Sequence, residues 1–387
     1  MMTSARQGAG GKPMKISKKD ALMWFRFFAS LPEGEELLPH QMEIAYAALA
    51  QIEAAVDARN ERLMSGIPGL HSLEGRTYFV GDPQRFPRGC RSCLTGTGLS
   101  AIRKTNKCNV QCRFCYNYGE LDRIPPIGEG LWEIGGTRFY EKDIDLLLSI
   151  QNKPTGVSYV YLEPFMEIEK YYGIIARFHA AGVHQHMYTN GLLCTEENLR
   201  VLGEAGLDEL RFNLGASGCA DSVIDSIRLA KRFIPCVGIE TPMTPEFEEA
   251  FQRKKDAILS TGLDFMNCAE LHLNPNNIVN YEGENLYIAR MGYISPIWSR
   301  EITFRLMRQA ALEHWPIVVH DCSNHTKFCR GLNLRAKEGA CFGANDYALE
   351  FPLLPFAAFL PILEDERFPF LEEEPLPYGY NPGDIVL

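Results

Sequence analysis

Three cysteines in the segment KTNKCNVQCRFCYNYGE, Cys108, Cys112 and Cys115, stand at C-x3-C-x2-C spacing. Thiolates are soft ligands, and three of them on one short loop can wrap a single iron-sulfur cluster while leaving one iron without a protein ligand. An iron left open can bind a substrate, so the spacing suits a cluster that does chemistry better than one that only carries electrons. A zinc site or an unconnected trio of buried thiols are the alternatives. A second set of thiols begins with PRGCRSCLTGTG, where Cys90 and Cys93 form a C-x2-C pair, and continues in HDCSNHTKFCRGLNLRAKEGACFG with Cys322, Cys329 and Cys341. Brought together by the fold, Cys90, Cys93, Cys322 and Cys341 hold a tetrahedral zinc ion or an auxiliary iron-sulfur cluster, with Cys329, His320 and His325 as alternative ligands. The other reading of this set is reduced thiols with no metal. Cys194, Cys219, Cys236 and Cys268 are isolated and read as small core residues.

Such loops need elements to carry them. Residues 18–32 and 40–65 are rich in helix formers with apolar residues at three and four spacing, which predicts two N-terminal helices. After them, short apolar runs near 98–104, 156–163, 184–190, 207–214, 235–241 and 264–273 alternate with helical segments. That alternation predicts parallel strands with helical crossovers. Six units close only part of an eight-stranded barrel, so the expected fold class is α/β, a partial (β/α)6 barrel with N-terminal helices and a C-terminal extension; a flatter open sheet is the alternative. The expected organisation is a flexible tail at 1–14, a helical region at 15–88, the barrel at 89–275 and a cysteine-bearing extension at 276–387. Cys108, Cys112 and Cys115 follow the first strand directly, at the C-terminal rim where barrels of this kind place their active sites.

The same rim collects polar residues. Arg211 and Asn213 alternate with the apolar Leu210, Phe212 and Leu214, and a buried arginine costs several kcal/mol unless it meets an anion. That anion is a bound cofactor or a local acid, Glu209 or Glu240. Thr189 and Asn190 end the third strand, Glu240 the fifth, and the sixth offers Glu270, His272 and Asn274 before an asparagine-rich loop. Each is a candidate cofactor or substrate contact, with a turn role as the alternative.

The composition narrows the function further. A formal net charge of -10 over 387 residues disfavours nucleic acid and anionic membrane as partners. No run approaches the ~18 apolar residues of a membrane-spanning helix, and the N-terminus lacks the apolar core of a signal peptide, so a cytoplasmic protein is expected. In that compartment clustered cysteines point to metal or catalysis rather than disulfides.

The C-x3-C-x2-C loop, with Phe114 just before its last cysteine, resembles the defining loop of the radical S-adenosylmethionine (SAM) superfamily. The resemblance covers about residues 88–345 and is to a branch similar to pyruvate formate-lyase activating enzyme and uncharacterised relatives. It implies a 4Fe-4S cluster on Cys108, Cys112 and Cys115 and an open iron chelated by SAM. It further implies reductive cleavage to a 5′-deoxyadenosyl radical and hydrogen abstraction from a small-molecule or protein substrate. An external one-electron reductant such as flavodoxin or ferredoxin is implied as well. Tyr116 occupies a place near the adenine. Glu163-Pro164 resembles the family's Gly-Gly-Glu-Pro segment, with Tyr161 and Leu162 in place of the glycines, and Glu163 is thereby implied to accept hydrogen bonds from an ammonium group. Arg211, Asn213, Thr189, Asn190 and Glu240 are the further cofactor-binding candidates. Relatives also resemble this chain in a Gly-Cys-x2-Cys before the barrel and in a later pattern matched by Cys322, Ser323 and Lys327. The competing class is a non-enzymatic iron-sulfur or zinc protein acting as a sensor, scaffold or electron carrier.

Overall fold

The computed structural model describes residues 16–32, 37–73, 77–95, 97–134, 137–149, 154–288, 294–324 and 360–366. Its strands are β1 (His71–Leu73), β2 (Thr77–Val80), β3 (Gly98–Arg103), β4 (Leu131–Ile134), β5 (Thr137–Tyr140), β6 (Gly156–Tyr159), β7 (His184–Thr189), β8 (Glu209–Phe212), β9 (Cys236–Pro242), β10 (Phe265–Ala269), β11 (Leu286–Ile288), β12 (Ile294–Pro296) and β13 (Val318–Cys322). Its helices are α1 (Lys18–Ser30), α2 (Pro39–Met64), α3 (Arg88–Thr95), α4 (Ile144–Ser149), α5 (Tyr172–Ala180), α6 (Glu196–Ala205), α7 (Leu214–Ser217), α8 (Asp221–Ala230), α9 (Pro245–Leu259), α10 (Ile297–Leu312) and α11 (Leu360–Glu364).

Two compact units share the chain. One takes the described residues of Met1–Ser65, Gly283–Ile297 and Glu350–Leu387. Within it, α1 buries Ala21, Trp24, Phe25 and Phe28, the i, i+3, i+4, i+7 stripe of an amphipathic helix. Ser17 caps its start by accepting the Asp20 N–H at 3.0 Å. Arg26 reaches Glu364 of α11 at 2.7 Å, and β11 pairs antiparallel with β12.

The other unit, the described residues of Gly66–Glu282 and Trp298–Leu349, holds the site. Its eleven-stranded sheet has the order β1-β2-β13-β10-β9-β8-β7-β6-β3-β4-β5. The run from β3 through β6, β7, β8, β9 and β10 to β13 is parallel throughout. The fold is thus the expected partial barrel, extended by one strand. His320–Cys322 falls within the cysteine-bearing extension, for which no strand is expected, yet β13 pairs with β10 in register from Phe265↔Val318 to Ala269↔Cys322. Its polar residues hid it: His320 stands opposite Asn267 on the polar inner face, so the run lacks a plain apolar pattern. Antiparallel β1–β2 and β4–β5 flank the parallel strands.

The helices between strands carry their own stop signals. Thr195 caps α6 and Gly206, at φ 93°, ends it; Thr244 caps α9, which begins with Pro245. Their apolar faces, such as Leu199 and Leu202 of α6 and Phe247 and Phe251 of α9, are buried. No helix among the described residues is long and apolar enough to cross a membrane.

Candidate active site

The cysteine loop leaves β3 at the C-terminal edge of the parallel strands and is tied down at its entry, middle and exit. At its entry the buried Tyr171 hydroxyl accepts the N–H groups of Lys104 and Thr105, at 3.0 and 3.2 Å, and the Glu163 N–H donates to the Lys107 carbonyl at 3.0 Å. In the middle, Asn190 Nδ2 donates to Asn109 Oδ1 at 2.6 Å, linking the end of β7 to the residue after Cys108. At the exit, the loop after β10 clasps it from the other side. Asn280 Nδ2 donates to the Arg113 carbonyl at 2.8 Å and Asn277 Nδ2 to that of Phe114 at 3.1 Å. Asn274 and Asn276 both donate to the Tyr116 carbonyl, at 2.9 and 2.8 Å. The Tyr116 hydroxyl meets His272 Nδ1.

Cys108, Cys112 and Cys115 are all half-buried on this loop. Cys108 Sγ donates to the Val110 carbonyl at 3.3 Å, and the Asn117 N–H donates to Cys115 Sγ at 3.4 Å. Burial pushes all three thiols up; Cys112, with Cys115 and Cys108 beside it, rises to about 12. Ionising such a trio is costly without a cation, and iron supplies that positive charge. Among the described residues no three His, Cys, Asp or Glu side chains are gathered at metal-holding distances, here or elsewhere. The donor set nevertheless fits a cluster by chemistry: three soft ligands on one anchored loop, at a rim lined by polar groups.

Glu163 anchors that rim. Its Oε1 accepts the Phe165 N–H at 3.0 Å and the Thr189 hydroxyl at 2.8 Å, and its Oε2 accepts the Asn190 N–H at 2.7 Å. Burial raises its pKa to about 7 against these three hydrogen bonds. Tyr161 and Leu162, which stand where the resembled segment has glycines, adopt φ of 95° and 58°. Both therefore hold positive-φ backbone without the residue that makes it cheap. Asn213 Oδ1 caps α7, accepting the Ala216 N–H at 3.2 Å and the Thr241 hydroxyl at 2.7 Å, and its own N–H donates to the Thr189 carbonyl at 2.8 Å. Tyr116, Glu163, Thr189, Asn190 and Asn213 thus gather around the cysteine loop.

Arg211 and Glu240 lie in a separate group, packed against α3. The helix approaches β7 and β8 so closely that a Cβ on Gly89 would stand 2.7 Å from Arg211 Nη2 and from His186 Nδ1. Arg211 ion-pairs with both Glu209 and Glu240, donates to the Tyr188 hydroxyl at 3.0 Å and reaches Cys90 Sγ at 3.5 Å. Burial works against the Glu209 carboxylate, but Arg211 and His184 outweigh it and hold its pKa well below the usual range. Asn267 Nδ2 donates to Cys90 Sγ at 3.0 Å and to Glu240 at 2.9 Å. Asn267 Oδ1 meets His320 Nδ1 at 2.9 Å, and His320 Nε2 meets the Thr77 hydroxyl at 3.0 Å.

Of the second cysteine set, Cys90, Cys93 and Cys322 lie among the described residues. Cys90 is buried in this network, its thiol pushed up to about 12 by burial, whereas Cys93 is exposed and Cys322 ends β13. Lys327, His325, Cys329 and Cys341 lie outside the described residues. Cys219 and Cys268 are buried, while Cys194 and Cys236 are half-buried. Glu270 Oε2 accepts the Asn324 N–H at 2.7 Å.

Sequence reasoning gave Asn274 a substrate role and did not find the clasp. Four asparagines within 274–280 were its signal, since side-chain amides are suited to satisfying the carbonyls of an irregular loop. The partners Asn109, Tyr171 and Thr241 carried no comparable signal.

Residues 102–253 match the family model for the radical SAM superfamily. The chain is 25% identical over 209 residues to a Methanocaldococcus jannaschii protein whose name assigns it provisionally to the glycyl-radical enzyme activating enzymes. The match covers 52% of this chain and 54% of that protein, so the chain spans about half the length of the curated relative it matches. Among solved structures it is similar to Streptococcus suis SuiB bound to the precursor peptide SuiA, at 12% identity and TM-score 0.44 over 95% of this chain and 83% of that one. SuiB bound to SAM matches at 11% and 0.43, over 58% and 50%. The methyltransferase TsrM from Kitasatospora setae, with cobalamin and a 4Fe-4S cluster, matches at 14% and 0.33, over 61% and 52%.

Proposed function

We propose that this radical SAM enzyme, its family domain spanning residues 102–253, holds a 4Fe-4S cluster on Cys108, Cys112 and Cys115 and abstracts hydrogen from a substrate presented at the barrel rim. The observation that carries the reading is the anchored, half-buried three-cysteine loop at the C-terminal edge of the parallel strands. A cluster held there would supply one electron to SAM, whose reductive cleavage would give methionine and a 5′-deoxyadenosyl radical. The protein's own part is positioning. Tyr171, Glu163 and Asn190 fix the loop from the β6–β7 side, and Asn274, Asn276, Asn277 and Asn280 fix it from the β10 side. Glu163, Thr189, Asn190 and Asn213 line the same rim and offer acceptors for the ammonium and ribose groups of SAM. Glu163 already takes three donors within the chain, so an ammonium group would share or displace one of them.

The Methanocaldococcus jannaschii relative favours a protein partner of the glycyl-radical type as the substrate class. The test is isotopic: with candidate partners deuterated at glycine Cα, label should pass into 5′-deoxyadenosine. Label arriving only from deuterated small molecules would overturn the protein-substrate reading and leave the chemistry standing.

A further inference from the structure

The exit clasp does more than hold the loop in place. The peptide joining Tyr116 to Asn117 is planar and trans, so its C=O and N–H point in opposite directions. Its carbonyl takes two side-chain donors at once, Asn274 Nδ2 at 2.9 Å and Asn276 Nδ2 at 2.8 Å. Its N–H points to Cys115 Sγ at 3.4 Å. The orientation of Asn274 is fixed by its other end: Oδ1 accepts the N–H groups of Asn276 and Asn277, both at 3.1 Å, leaving Nδ2 to face the cysteine loop. Turning the peptide would break both carbonyl bonds together.

The other two clasped peptides differ. The carbonyl of Phe114 is held by Asn277, and the N–H of the same peptide, that of Cys115, donates to the Cys112 carbonyl at 3.0 Å rather than to a sulfur. Asn280 holds the Arg113 carbonyl at an exposed position. One peptide of the three, then, is aimed at a ligand sulfur, and it is the one with two donors.

We infer that Asn274 and Asn276 are positioning residues that aim the Asn117 N–H at the Cys115 sulfur and thereby raise the reduction potential of the cluster. The inference rests on the cluster reading above. A donor to a ligand sulfur favours the reduced, more negative cluster, so losing it makes reduction harder. Asn274 and Asn276 touch neither thiol nor cluster in this account; they act through the Tyr116–Asn117 peptide.

The test compares the wild-type chain, the Asn274→Ala/Asn276→Ala double variant and Asn280→Ala after anaerobic reconstitution. Iron and sulfide per chain, thermal midpoint and an EPR-monitored redox titration are read for each. The double variant should load its cluster yet shift to a more negative midpoint, by about a tenfold change in the oxidised-to-reduced ratio at fixed potential, which is ~59 mV for a one-electron couple. Asn280→Ala, which removes a clasp from the same loop but from a different peptide, should keep the wild-type potential. A loaded double variant at the wild-type potential overturns the inference, and so does an equal shift in Asn280→Ala, which would mean general anchorage only. Should the double variant fail to load, Asn274→Ser and Asn276→Ser each retain one donor and should give a smaller negative shift; no shift in either overturns it. A wild-type chain that takes up no 4Fe-4S cluster overturns the cluster reading itself.

Discussion

Two C-x2-C pairs in this chain sit in different surroundings. Cys112 and Cys115 lie on an irregular loop, both half-buried, with the surrounding carbonyls taken by Asn274, Asn276, Asn277 and Asn280. Cys90 and Cys93 lie on α3, where one turn of helix separates them; Cys90 is buried with Arg211 and Asn267 as donors, and Cys93 is exposed. Beside Cys112 and Cys115 the amides of Asn274, Asn276, Asn277 and Asn280 go to backbone carbonyls rather than to the thiols. Near α3 the donors of Arg211 and Asn267 go to the Cys90 thiol and to the Glu209 and Glu240 carboxylates. The two pairs share a spacing and differ in what surrounds them, a difference that mutation can probe.

The comparison breaks most decisively at the metal. Changing Cys108, Cys112 and Cys115 together to alanine should remove essentially all iron, whereas Cys90→Ala should retain it and instead lose about 1–3 kcal/mol of stability, as Asn267 Nδ2 and Arg211 Nη2 each give up one hydrogen bond and keep their carboxylate partners. Iron and sulfide analysis with urea unfolding checks both; iron lost in Cys90→Ala would join the two regions into one metal system. A larger stability effect is expected at Arg211. Replacing it with methionine takes the guanidinium away from the buried Glu209 and the half-buried Glu240, at about 3–5 kcal/mol. An Arg211→Met chain as stable as the wild type would show that the group near α3 is not an ion-paired network.

At the rim, Glu163 gives a pH signature. Its folded pKa of about 7 stands above the ordinary 4.5, so the folded chain binds this proton more tightly than the unfolded one. Stability from this group is then complete below pH ~4.5 and falls as pH rises through ~7, by up to about 3 kcal/mol. Urea unfolding of wild type and Glu163→Ala at pH 5 and pH 8 should show the wild-type advantage shrinking at the higher pH; an advantage that grows contradicts the burial argument. The smallest effect concerns Leu162, whose left-handed φ of 58° costs ~1–2 kcal/mol in an L-residue. Leu162→Gly relieves that and loses some chain entropy, for a net gain of about 0.5 kcal/mol in thermal or urea unfolding.

The parallel strands were legible because each buried its outward face under a crossover helix, leaving apolar runs at regular spacing. β13 was not, since His320, Asp321 and Cys322 break up a five-residue run. Asp321 is buried because it pairs with Arg300 of α10, a partner 21 residues away that no local pattern announces. The place of the cysteine loop, directly after the first parallel strand, was legible from the order of apolar runs. What held it was partly hidden, because Asn109, Asn190 and Tyr171 meet only through the tertiary fold. Arg211 shows the limit most clearly: the sequence offers a cofactor anion or a local acid as its partner, and the fold supplies two acids.

The most direct test of the central claim is the yield of 5′-deoxyadenosine. Anaerobically reconstituted wild-type chain, given dithionite and SAM, should produce it, and Cys112→Ala should produce none. A wild-type chain carrying a full 4Fe-4S cluster that yields no 5′-deoxyadenosine under these conditions would contradict the account.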